Sequence, residues 1–112
     1  MIMKKNITNK DIINGSFVVP EGITKIRDHA FDYCTSLKNI TLPEGVTEIG
    51  IGAFRGCTSL KKIIIPESVA EIGDFSFDGC KSLKKVSLPK KVKLGIGVFH
   101  RCHTDLKIEY RD

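Results

Sequence analysis

Hydrophobic residues recur along this chain with a fixed long period. Pro20, Pro43, Pro66 and Pro89 stand at a constant interval of 23, and Phe31, Phe54 and Phe77 keep it. So do Cys34, Cys57 and Cys80, and Leu37, Leu60, Leu83 and Leu106. A repeat of this length is one turn of a solenoid, which buries its apolar side only when its neighbours stack on it. Each apolar position then becomes a ladder through the stack: Ile23, Val46, Val69 and Val92; Ile26, Ile49, Ile72 and Leu94; Ile40, Ile63, Val86 and Ile108; Leu42, Ile65, Leu88 and Tyr110.

Within a period the pattern changes character. The L-x-x-I-x-L segment places apolar residues two apart, the strand period. It predicts short parallel strands at 39–42, 62–65, 85–88 and about 107–110. A leading strand near 16–19 points Phe17 and Val19 inward. The proline after each strand has no N–H and is expected to end the ladder. The following I-G-x-x-A-F-x-x-C segment sets Phe three residues before Cys, a spacing that suits one helical or 3₁₀ turn. Gly50 and Gly73 are expected there for their φ freedom.

The segments LKNITLPEGVTEIGIGAFRGC at 37–57 and LKKIIIPESVAEIGDFSFDGC at 60–80 resemble the BspA-type leucine-rich repeat. The likeness extends over roughly 16–110. It implies an α/β fold: a leucine-rich-repeat solenoid with short parallel β-strands on the concave face, short strand, 3₁₀ or helical turns opposite, and about four repeats plus caps. It also implies a protein-binding module associated with cell-surface attachment, and it brings no catalytic residues. On this reading residues 1–112 form a single domain, with an N-terminal cap at 1–15 and regular repeats over 16–98. An irregular last repeat and C-terminal cap fill 99–112. Phe99 falls one position early relative to Phe77, and the lost residue is regained before Leu106, so register is broken between Val92 and Leu106.

Length and composition fit a single folded domain: 112 residues, 41% hydrophobic and 28% charged. No apolar run approaches a membrane span, which argues against membrane insertion. Met1 to Asn14 lacks the apolar core of a signal peptide. The default expectation is therefore a cytoplasmic chain, or a surface or secreted one if a leader has been removed.

Candidate chemistry is sparse. The four cysteines share one position in successive turns, so their side chains stack in a line about 4.8 Å apart. A disulfide needs converging Cβ atoms about 3.8 Å apart, and zinc needs ligands around a point. Buried free thiols are the expectation. His100-Arg101-Cys102-His103 is the one dense cluster of metal-ligand types, and it reads as a surface cap turn. No nucleophile–base set, P-loop or zinc-protease motif is present. The expectation is a protein that is not an enzyme, with no cofactor and no metal.

Charge points further. Net charge is +5, and it is sorted by position. Lys38, Lys61, Lys84 and Lys107 follow the repeat leucine, and Lys62 and Lys85 come next, whereas Glu21, Glu44 and Glu67 follow the proline. Ladders of like charge cost free energy unless solvent, salt or an anionic partner compensates. The expected binding residues are Lys38, Lys61, Lys62, Ile64, Lys84, Lys85 and Ser87. A protein partner ranks first and an acidic glycan second. Nucleic acid is disfavoured, because arginine is scarce and no aromatic interleaves with the lysines. The alternative is a structural repeat protein that self-associates through its open solenoid ends.

Overall fold

A computed structural model describes residues 6–111. Among the described residues nine strands follow a 3₁₀ turn at Asn9–Asp11: β1 (Ser16–Val18), β2 (Lys25–Ile26), β3 (Asn39–Thr41), β4 (Glu48–Ile49), β5 (Lys62–Ile64), β6 (Glu71–Ile72), β7 (Lys85–Pro89), β8 (Lys93–Leu94) and β9 (Lys107–Arg111). All strand pairing is parallel and joins each turn to the next in register, as a solenoid requires. Ile63 sits beside Val86 and Val86 beside Ile108. Ile72 sits beside Leu94, so the residue lost after Val92 does not disturb that ladder.

The odd-numbered strands form the strand face, where pairing runs β1-β3 and then β5-β7-β9, with no pairing between β3 and β5. The second wall is a four-stranded sheet of two-residue strands, β2-β4-β6-β8. Between the walls lies one core. Phe31, Phe54, Phe77 and Phe99 stack face to face at 5.0, 5.2 and 5.7 Å, and Phe17 closes the row edge-on at 5.3 Å. Stacking identical rings turn upon turn buries large apolar area without any turn needing a core of its own.

The third wall differs from the helical turn expected there. Among the described residues the sole helix is the 3₁₀ turn at Asn9–Asp11. In the I-G-x-x-A-F-x-x-C segment only alternate N–H groups bond within the turn: Ala30 to Arg27 O, Asp32 to His29 O and Cys34 to Phe31 O. The intervening ones, from His29, Phe31 and Tyr33, donate to Ile51, Ala53 and Arg55 of the next turn at 2.6–2.8 Å. A helix would keep every N–H within its own segment. Here left-handed residues rotate alternate peptides onto the solenoid axis. They recur in two rows, His29, Gly52, Phe75, Gly97 and Tyr33, Gly56, Gly79, Arg101, with φ between 55° and 77°.

The first of those rows shows a two-turn alternation inside the repeat, whereas the second holds glycine on two successive turns, Gly56 and Gly79. Where one turn carries a large residue, the next carries glycine beneath it. A Cβ on Gly52 would fall 2.7 Å from the His29 ring, one on Gly56 2.5 Å from Tyr33, and one on Gly97 2.5 Å from Phe75. Beside them, Asp28 and Asp74 accept a 2.9 Å hydrogen bond from the N–H of Ile51 and Ile96 on the following turn. Gly50 and Gly73 are not among the positive-φ residues, so the expectation of φ freedom there fails. They are small because space is lacking: a Cβ on Gly50 would lie 2.4 Å from Asp28 Oδ1 and one on Gly73 2.8 Å from Ile51 N. The rule that proline ends each ladder also fails once. Pro89 closes β7 opposite Arg111, because proline lacks a donor but keeps its carbonyl.

Candidate binding face and buried ladders

The strand face carries two outward rows: Ser16, Asn39, Lys62, Lys85 and Lys107, and Val18, Thr41, Ile64, Ser87 and Glu109. Its first half is therefore neutral and its second half basic. The boundary coincides with the break between β3 and β5. Lys38 N–H bonds to Gly15, Lys84 to Lys61 and Lys107 to Lys84, but Lys61 makes no such bond back to Lys38. A groove of about 380 Å³ opens at the break, lined by Asn39, Thr41, Glu44, Lys62, Ile64 and Pro66 among others. Ile64 is 66% exposed beside it.

The expected binding residues separate in space. Lys61, Lys62, Lys84 and Lys85 line one cleft of about 510 Å³, together with Lys81, Ser82 and His103. Lys38 lies apart from it, against Gly15, where an added Cβ would come within 2.9 Å of the lysine's Cδ. Ser87 lines neither hollow, and its hydroxyl accepts a hydrogen bond from Arg111. Arg111 also donates to the carbonyl of Ile65 and pairs with Glu67 at 3.1 Å, so it straps β9 to the earlier turn. Lys85 pairs with Glu109 at 3.3 Å. Position-by-position reading missed Lys81, because its row holds Thr35 and Thr58 in earlier turns. It missed His103 because that residue falls where register is lost.

The His100–His103 segment does not converge. His100 Nδ1 turns to Asp78 at 3.3 Å, whereas His103 Nδ1 accepts the N–H of Asp105 at 2.9 Å. No group of three potential metal ligands is found among the described residues. Asp78 is 2% exposed yet charged. Arg101 binds it bidentately at 2.9 and 3.0 Å, and Arg55 Nε approaches at 3.4 Å. The Arg101 hydrogen bonds outweigh burial and hold the carboxyl below its usual range, with His100 and Arg55 assisting.

The cysteines have a task beyond filling space. Each thiol donates to a carbonyl of the preceding turn at 3.1 Å: Cys57 to Phe31, Cys80 to Phe54, Cys102 to Phe77 and Cys34 to Ile7. All four are free. Burial pushes the Cys57 thiol up to about 12, Cys34 and Cys102 up to about 11, and Cys80 in the same direction. These are thiols held away from thiolate chemistry.

A parallel-strand solenoid with a strand on every turn and an invariant leucine position defines a leucine-rich-repeat protein. The chain belongs to the BspA-type leucine-rich repeat family, whose model matches six copies over residues 4–110. Among solved structures it is similar to a leucine-rich cell surface protein from Faecalibacterium prausnitzii, with 32% identity and a TM-score of 0.73. That match covers 88% of this chain and 32% of the other, so the chain spans about a third of that relative's length. A leucine-rich repeat protein from Bacteroides capillosus shares the fold at 24% identity and a TM-score of 0.76, covering 88% of this chain and 78% of that one. The pneumococcal vaccine antigen PcpA matches at 26% identity and 0.68, over 88% of this chain and 31% of its own. No curated protein sequence matches the chain. Proteins of this family are generally binding or surface proteins. No helix among the described residues is long and apolar enough to cross a membrane.

Proposed function

We propose that the protein is a non-catalytic binding module whose working surface is the basic half of the strand face, taking a protein partner with an acidic rim. One observation carries this reading. Ile64, two-thirds exposed, lines an open groove whose charged members are Lys62 and Glu44. An apolar anchor ringed by charge is the arrangement that concentrates binding energy at protein interfaces. The cell-surface description of the Faecalibacterium relative supports a role in surface attachment or host interaction.

The test is a partner captured from the host's surface fraction and then titrated against variants. Ile64→Asp is expected to weaken binding by more than tenfold, and Lys62→Glu with Lys85→Glu likewise, with the melting temperature nearly unchanged. Affinity that ignores both changes overturns the proposal.

A second reading, self-association, rests on the edge of β9. Ile108 and Tyr110 are 38% and 55% exposed there, although their counterparts Val86 and Leu88 are fully buried. Exposed apolar edges template pairing between chains. Sedimentation over a concentration series tests it, and a strict monomer at high concentration removes it.

A further inference from the structure

We infer that the lysine cleft at the margin of the strand face is a site for a sulfated polysaccharide, adjoining the groove at Ile64, with which it shares Lys62. The inference rests on the binding-module reading and adds a second ligand to it. Five lysines, Lys61, Lys62, Lys81, Lys84 and Lys85, line this hollow of about 510 Å³ with Ser82 and His103, and no carboxylate does. Among the described residues the cleft lysines have a single ion pair, Lys85 with Glu109 on the neighbouring strand. Lys62 and Lys85 lie directly side by side in the ladder, as do Lys85 and Lys107. Like charges so placed destabilise a sheet. The same rows are neutral at Ser16 and Asn39, so the fold itself does not require lysine there.

The lining chooses among anions. It contains no Phe, Tyr, Trp or branched aliphatic side chain, so a docked protein would find no anchor in it and could meet its lysines only as a rim. It contains no arginine fork for bidentate capture of carboxylates. The absence of Phe, Tyr and Trp also leaves no apolar ring as a platform for stacked bases. What remains is a set of monodentate point charges repeating turn by turn at about 4.8 Å. That suits a hydrated polyanion carrying closely spaced sulfates. His103 Nδ1 accepts the Asp105 N–H, which leaves Nε2 as the ring nitrogen open to a ligand.

Binding of a heparin-derived hexasaccharide, followed calorimetrically over a range of salt, tests the assignment. Affinity should fall as salt rises, with a log–log slope that drops by roughly one for each lysine removed. Lys81→Glu with Lys84→Glu should weaken binding at least tenfold. Lys90→Glu with Lys91→Glu changes net charge equally, on the turn beyond Pro89, and should leave affinity nearly intact. Equal losses from the two pairs would reduce the effect to net charge and overturn the site. Binding of poly-glutamate as tight as the sulfated oligosaccharide would overturn the sulfate assignment. Ile64→Asp separates the two proposals: it should spare oligosaccharide binding whatever it does to a protein partner.

Discussion

At the N-terminal end, Ile7 is buried and its N–H continues the hydrogen-bond ladder to Ala30. Thr8 and Asp11 form a reciprocal capping box around the 3₁₀ turn, and Asn9 bonds to Thr35 and Ser36 of the first full turn. Ile13 and Ser16 form an isolated antiparallel bridge around Asn14-Gly15, with φ of 52° and 79°. That is the two-residue turn an Asn-Gly pair favours, and it blunts the free edge of β1. At the other end, β9 is mostly exposed, Ile96 is 72% exposed, and Phe99, Cys102 and Leu106 are only half buried. The apolar ladders run equally to both ends. The difference lies in local turn chemistry: one end has polar groups placed to satisfy its last backbone atoms, and the other presents its core side chains directly. Apolar content alone does not seal a solenoid.

Removing one ring at each end gives the largest contrast. Phe31→Ala is expected to cost about 4 kcal/mol and Phe99→Ala about half of that, because Phe99 has less packing to lose. Denaturant unfolding of the two variants checks this, and equal losses would mean that the last turn is as tightly packed as the first.

Asp78 ties the last turn to the one before it through Arg101 and His100. Asp78→Asn should cost about 2 kcal/mol, at the modest end because its partners reach solvent. Since its folded pKa is lowered, the stabilisation is complete above the ordinary carboxylate pKa. It is lost as pH falls through the lowered folded value. Amide exchange should therefore rise first at β8 and β9 once pH falls below the ordinary carboxylate pKa, with β1 protected. Simultaneous loss at both ends would break the comparison.

Gly15→Ala works on the sealed end. It forces a side chain into a left-handed position against Lys38 and should cost about 1 kcal/mol, with faster exchange at Ser16–Val18 and no change at β9. The smallest perturbation is chemical. Thiol alkylation of the native protein should modify Cys102 first and Cys57 and Cys80 last, following burial. Mass mapping gives the order, and uniform labelling would show that the whole stack opens as one.

Much of the fold was legible in the residues. The strand starts at Asn39, Lys62 and Lys85, the Phe and Cys ladders, and the slipped register that still aligns Leu94 with Ile72 all follow from the period. The third wall was misread, because Phe-x-x-Cys spacing is common to a helical turn and to the alternating left-handed ladder. What separates them is where alternate N–H groups go, and those partners lie a full turn further along the chain. The same limit hid part of the lysine cleft. Lys61, Lys62, Lys84 and Lys85 stood out by position, whereas Lys81 and His103 share no periodic place with them.

By itself the sequence determined that turns of one fixed length must stack, and which side chains face inward. A strict repeat leaves no other way to bury its apolar positions. Tertiary structure alone decided what lies between turns: the thiols on carbonyls one turn back, the arginines closing on Asp78, the break between β3 and β5, and the lysines gathered around one hollow. Each of these joins residues distant in the chain, and their spacing is set by how neighbouring turns lie on one another.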